Sequence, residues 1–348
     1  MSIVSGDGPP IFVPKTNDGI NIHPLRRLDP DASLRELVIV PELVALQLRA
    51  VYELGFDGIR LTAPFGSRPN LLGAIPYVRA ARALGIDAVV LMSTFDGLAP
   101  AQALWSDRQR PEMLALFNRL FAIPPEPAAP GAGGLGPKGV GRIAFQVLNE
   151  PAIFFGLPPD VYVQEFLIPT FVELRQLNSQ IIVVSAAEVG TLDGPARVRA
   201  MLEAGLEGAC DRVAYHLYAP EVLEHLPTHI RQVVWVTESG THPTSGHLAW
   251  VRDFHPAIKA RLEDATRIFY YDLYDGDPDR HRLIAIERDG AAYRAVIESG
   301  ELCAYYRQRV LDRAAGRPLI PFEQLIPDIT AYFPTPEDIA AYDQVSAT

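Results

Sequence analysis

Ile143-Ala144-Phe145-Gln146-Val147-Leu148-Asn149-Glu150-Pro151 is a run of β-favouring apolar residues that ends on a glutamate and is cut off by proline. A run that is apolar on both faces belongs to a buried parallel strand, and proline cannot continue one. Val233-Val234-Trp235-Val236-Thr237-Glu238-Ser239-Gly240 repeats the pattern further along, with glycine as the break. Each segment is therefore expected to deliver one carboxylate to the rim of a parallel sheet.

Outward from these two, similar runs recur at Gly19–His23, Gly58–Ala63, Ala88–Ser93, Gln180–Ser185, Arg212–Tyr218 and Thr266–Leu273, with Arg142–Asn149 and Gln232–Glu238 enclosing the quoted pair. Between them lie helical patterns: Pro41–Leu54 with Leu43, Leu46, Leu48 and Val51 on its apolar face, Ala74–Leu84 closed by Gly85, Asp160–Leu177 and Pro195–Ala204. Alternation of this kind means βα units and a parallel sheet. Eight strands are the number that closes a TIM barrel, and no Gly-x-Gly-x-x-Gly follows the first strand to suggest an open dinucleotide-binding sheet. The expected fold class is α/β, a (β/α)8 TIM barrel over residues 1–315 with a Pro-rich C-terminal extension, residues 316–348, packed on it. Pro124–Val140 reads as a loop before the fourth strand. Arg282–Arg288 reads as a short extra strand or hairpin with Asp289-Gly290 as its turn, followed by a helix over Ala291–Ala315.

The chain has 348 residues, 48% of them hydrophobic and 21% charged, enough for a sizeable core and incompatible with disorder as the main state. Its net charge of −11 argues against a general affinity for nucleic acid or an anionic membrane. Cys210 and Cys303 are the only cysteines, so there is no disulfide framework and no cysteine metal cluster; two buried free thiols are expected. The first ten residues lack the basic and apolar regions of a secretory signal, and no stretch reaches the length of a membrane span. A cytoplasmic protein is expected, or a secreted one if a leader has been removed.

In a barrel of parallel strands the chemistry sits at their C-terminal ends, where both glutamates fall. About three βα units separate them, which puts Glu150 on the fourth strand and Glu238 on the seventh, across the mouth from each other. Two facing carboxylates are what glycoside hydrolysis needs: a nucleophile beneath the anomeric carbon and an acid/base beside the leaving oxygen. A nucleophile must stay ionised, so a nearby Arg is useful. An acid must hold its proton near neutrality, which burial and a second carboxylate both promote.

Asn149-Glu150-Pro151, His216-x-Tyr218, Glu238 in Thr-Glu-Ser-Gly and Arg60 in Gly-Ile-Arg-Leu together resemble the clan A glycoside hydrolases, the cellulases, mannanases and β-glucosidases. The resemblance spans roughly residues 19 to 312. It implies a retaining β-glycosidase with Glu150 as acid/base and Glu238 as nucleophile. It further implies that Asn149 bonds the sugar 2-hydroxyl, Tyr218 bonds the nucleophile, His216 lines the sugar site and Arg60 lies beneath Glu238. The partner it implies is a carbohydrate substrate, with no cofactor and no metal.

The chain departs from that pattern where a substrate is chosen. Clan members often carry a Trp at the end of the eighth strand, where this chain has Phe269-Tyr270-Tyr271-Asp272, so Tyr270 or Tyr271 would stack on the sugar. The third strand ends Ser93-Thr94-Phe95-Asp96-Gly97 without the histidine found there in many cellulase-like members. Phe154, Phe155, Glu188, Trp105 and Trp250 are further candidates for walls of the site. Each assignment has a plainer rival: a strand-end salt bridge for Glu238, a barrel-floor ion pair for Arg60, a core histidine for His216, a packing aromatic for Tyr218 and a turn cap for Asn149. Two other functions stay open at this point, a barrel that binds glycans without cleaving them and a TIM-barrel enzyme that turns the same glutamates to other acid/base chemistry.

Overall fold

The computed structural model describes residues 9–24, 39–64, 67–92, 109–126, 139–188, 190, 192–227, 229–241, 246–262, 266–273, 283–289, 292–296 and 300–346. Eight strands close in sequence order into a parallel barrel: β1 (Asp18–Asn21), β2 (Gly58–Thr62), β3 (Asp87–Met92), β4 (Ile143–Val147), β5 (Ile182–Val184), β6 (Arg212–Leu217), β7 (Val233–Ser239) and β8 (Arg267–Tyr270). β8 returns to β1 with Asp18 opposite Ile268 and Gly19 opposite Phe269. All eight expected strands are present, each within a few residues of its expected bounds, because an apolar run bounded by Gly, Pro or Asp has only a buried parallel sheet in which to hide both faces.

Inside the barrel Val89, Ala144, Val184, Ala214, Trp235 and Phe269 form a small apolar layer of their own, separate from the larger core between strands and helices. The space that Phe269 fills exists because β1 has glycine there: a Cβ on Gly19 would lie 2.3 Å from the Phe269 ring. Beneath this layer, at the N-terminal ends of the strands, Arg142 and Arg267 bond Asp87 at 2.7 and 2.9 Å, and Arg212 and Arg267 lie against Trp235. That end of the barrel is closed by paired charge.

The helix over Pro41–Glu53 follows its expected pattern, while Arg68–Ala83 starts earlier than expected, with Gly73 and Pro76 accommodated inside it. Asp160–Leu177 is helical but contains a wider π-type stretch over Tyr162–Leu167. One expectation is overturned. Residues Ala292–Val296 are not the start of a helix but the second strand of a hairpin, β10, antiparallel to β9 (Ala285–Asp289), and the helix begins only at Glu301. The Ala-rich composition favours a helix locally, and pairing with β9 overrides it. Most of the expected Pro124–Val140 loop, residues 127–138, lies outside the described residues.

Residues 316–346 lie against the outside of the barrel helices. Ile11 and Leu319 form a parallel bridge, Arg79 holds Asp338 through two bonds of 2.8 and 3.1 Å, and Arg68 holds Asp343 in the same way. Among the described residues no helix is long and apolar enough to cross a membrane.

Candidate active site

Side chains alternate along a strand, so β1 turns Gly19, Asn21 and then His23 to the barrel interior, and β8 turns Phe269 and then Tyr271. Just above the apolar layer sit three buried polar side chains, Asn21, Arg60 and Gln146. Arg60 joins them. Its Nε donates to Gln146 Oε1 at 2.7 Å, Nη1 to Asn21 Oδ1 at 2.9 Å and to Glu238 Oε1 at 2.7 Å, and Nη2 to Asn149 Oδ1 at 2.8 Å. One guanidinium thus ties together residues of β1, β4 and β7 and the turn after β4.

Glu238 reaches this position through an irregularity in β7. Tyr215 stands opposite Val236, but His216 stands opposite Glu238, so Thr237 is an extra residue relative to β6, and the pairing with β8 shifts over the same stretch. A bulge of this kind re-aims the side chain that follows it. Simple alternation from the inward Trp235 would have turned Thr237 to the interior; the extra residue turns Glu238 there instead. The Thr237 carbonyl accepts a 3.0 Å bond from the Asn21 amide, which satisfies a group on the irregular stretch.

The Glu238 carboxylate is bonded at both oxygens, by Arg60 at Oε1 and by the Tyr218 hydroxyl at Oε2, 2.7 Å each. Burial alone would raise its proton affinity, but His216, Arg60 and the Tyr218 bond together hold it below the ordinary glutamate range. The Tyr218 hydroxyl is pushed well up by burial and by Glu238, so it stays protonated and donates. A carboxylate so held is ready as a charged nucleophile.

Glu150 has a different environment. It sits at the start of the short helix Pro151–Phe155 with φ 40°, and Leu148, two residues before it, has φ 64°. Left-handed backbone is unfavourable for both side chains, on the order of 1–3 kcal/mol each, and persists where surroundings enforce it, most often at functional sites. Here the Glu150 amide donates to Ala187 O at 3.0 Å, while Tyr162 pins the ends of β4 and β5 by donating to Val147 O and accepting from Ala186 N. The Glu150 carboxylate meets His216 Nδ1 at 2.7 Å, and His216 Nε2 lies 3.4 Å from Glu238 Oε1. One donor atom from each of Glu150, His216 and Glu238 can be chosen so that all three lie within 4.8 Å of one another. That set would also satisfy metal-ligand spacing. Arg60 already places a cation on Glu238, however, and with Tyr218 occupies both its oxygens, which disfavours a second cation there.

The structure therefore brings Arg60, Asn149, Glu150, His216, Tyr218 and Glu238 into one cluster. It separates the two tyrosines: Tyr271 lies edge-on to Tyr218 and to His23, whereas Tyr270 is fully buried and packs on His247. Tyr270 is thus corrected to a core residue, because alternation turns it away from the interior. Trp250 is buried too, its indole donating to Ser239 Oγ at 2.9 Å. Glu188 is buried with Arg197 3.5 Å away and its proton affinity is raised, chiefly by burial; Phe154 is exposed at the lip beside Glu150. Trp105 and the end of the third strand beyond Met92 lie outside the described residues. Asn21, Gln146, His23 and Asp272 belong to no motif in the sequence, although Asn21 lies on the inward alternation of β1, His23 continues it just past the strand, and Gln146 is the lone polar residue of β4.

No protein-family model and no curated protein matches this sequence. Among solved structures, the chain is similar in fold to Thermotoga maritima Cel5A in complex with cellobiose (15% identity, TM-score 0.50, covering 80% of this chain and 94% of that one). It is similar likewise to the hyperthermostable endo-1,4-β-D-mannanase from Thermotoga petrophila RKU-1 (13%, 0.50, 86% and 99%) and to the catalytic domain of the GH30 xylanase C from Talaromyces cellulolyticus (14%, 0.50, 80% and 71%). At these identities the likeness is one of fold.

Proposed function

We propose that this chain is a glycoside hydrolase that cleaves a β-glycosidic bond with retention, Glu238 acting as nucleophile and Glu150 as acid/base. The observation that carries the reading is the paired carboxylates at the mouth, with an oxygen of each within 4.8 Å. Retaining hydrolases hold their carboxyl groups about 5–5.5 Å apart and inverting ones about 6.5–9.5 Å to admit a water, and the close approach of these nearer oxygens supports the shorter of the two separations. The unequal surroundings of the pair support the division of roles: Glu238 is fixed by Arg60 and Tyr218, and Glu150 touches only the His216 ring among the bonds just described.

In the first step a Glu238 oxygen bonds to the anomeric carbon while the Glu150 proton passes to the departing oxygen, which leaves as an alcohol. In the second, Glu150 takes a proton from water, and the water oxygen displaces Glu238 from the sugar. Asn149, its Oδ1 occupied by Arg60, is left with its amide hydrogens to donate to the sugar 2-hydroxyl, and Tyr271 supplies an aromatic surface where relatives often have Trp. The fold shared with a cellobiose-bound enzyme, a mannanase and a xylanase supports a carbohydrate as the substrate class. Glu238→Ala is expected to abolish turnover of nitrophenyl β-glycosides, and NMR of the first-formed product should show the β anomer. Full activity in that variant, or an α first product, would overturn the assignment.

A further inference from the structure

We propose that His23, oriented by Asp272, is the recognition residue that reads a ring hydroxyl of the sugar seated on the Glu238 side of the mouth; the inference rests on the glycosidase reading above. His23 follows β1 on the inward alternation of Gly19 and Asn21, and its ring stands edge-on to Tyr271 at 5.6 Å, which in turn stands edge-on to Tyr218 at 6.3 Å. Tyr218 bonds Oε2 of Glu238. His23 therefore lies on the Glu238 flank of the mouth, two aromatic contacts from the tyrosine-bonded carboxylate.

The manner in which it is held points to a role beyond packing. The His23 Nε2 lies 2.9 Å from Asp272 Oδ2, and the Asp272 side chain is 1% exposed against 49% for His23. A buried carboxylate is unfavourable unless bonded, so fixing a half-exposed ring with one is a positioning device of the kind found behind ligand-binding histidines. The backbone is pinned as well: buried Gln47, itself held by Tyr77, donates to the His23 carbonyl at 3.2 Å. An ionised carboxylate only accepts, so Nε2 carries hydrogen and Nδ1 becomes the atom offered to solvent or ligand, an acceptor when the ring is neutral and a donor when it is charged. The Asp272 bond favours the charged ring against the opposing effect of burial. A sugar hydroxyl can serve either form, since it both donates and accepts.

The test is steady-state kinetics on nitrophenyl β-glycosides and their monodeoxy analogues for the unaltered protein and H23A, H23Q, D272A and H23A/D272A. H23A should raise KM about 10- to 100-fold with kcat changed far less, H23Q should recover most of the loss, and D272A should move KM in the same direction. H23A/D272A should be no worse than H23A alone, because Asp272 acts through the ring. One deoxy analogue should show no H23A penalty, and it identifies the hydroxyl read. Unchanged KM in both H23A and H23Q, or an equal penalty on every analogue, would overturn the inference while leaving the glycosidase reading intact. Absence of turnover by the unaltered protein on every glycoside would overturn the glycosidase reading and this inference with it.

Discussion

Arg60 donates to four acceptors, on β1, β4, β7 and the turn after β4, and only a planar fork of N–H groups can do so. Lysine at this position keeps the charge but not the geometry. Arg60→Lys is expected to lower kcat/KM by roughly 100-fold or more, comparable to losing a preorganised donor at a reacting charge, with a melting profile checking that the barrel remains folded. Tyr218→Phe removes one bond from the Glu238 carboxylate and so raises its proton affinity; the acidic limb of the kcat/KM profile should move to higher pH, and a limb left in place would remove Tyr218 from that role. At this scale the sequence was most legible where a residue belongs to a motif: Glu150, Glu238, Asn149, Arg60, His216 and Tyr218 all meet at the mouth. Asn21, Gln146 and Asp272 were not legible, because each draws its meaning from a partner on a distant strand. A lone Gln in an apolar run says nothing until Arg60 is seen beside it.

Among the elements, β1 shows how little side chain a barrel strand needs. Gly19 is there because Phe269 occupies its side-chain volume, so Gly19→Ala forces an aromatic ring and two strands apart. The expected loss is about 1–3 kcal/mol, read as a lower urea midpoint with unchanged slope. The eight strands could be read from sequence since burial on both faces leaves an unambiguous apolar signature. The hairpin of β9 and β10 was legible at its Asp289-Gly290 turn but not in its second strand, Ala292–Val296, whose alanines suggest a helix and which is a strand by virtue of its partner. The bulge in β7 escaped for a similar reason: nothing in Val-Thr-Glu-Ser marks which residue is the extra one.

Across the whole molecule, the two ends of the barrel are stabilised by different means, and this makes acid stability predictable. Near the closed end His255 is fully buried, and burial lowers its proton affinity to about 4, with Asp18 opposing that shift and Lys259 and Arg309 reinforcing it. The unfolded chain takes up this proton near pH 6.5, whereas the folded protein does so only near 4. Between those values the unfolded state binds more protons, so stability is complete above about pH 6.5 and declines as pH falls toward 4, by about 3 kcal/mol from this group. His255→Leu should flatten that stretch of the stability profile in urea titrations from pH 7 to 4; an unaltered slope would assign the acid sensitivity elsewhere. The C-terminal residues 316–346 contribute ion pairs on the outside, among them the largely buried Arg79 with Asp338; prolines with apolar residues between them lead one to expect the packing, but not these partners.

The extra residue in β7 also has a genetic consequence. Deleting the single codon for Thr237 would return the strand to strict alternation and leave Glu238 in the inward place opposite His216, so the deletion removes not the carboxylate's direction but the Thr237 carbonyl that accepts from Asn21. A three-base deletion would thus keep the glutamate both encoded and on its face, while loosening Asn21, one of the acceptors that hold Arg60 beneath it.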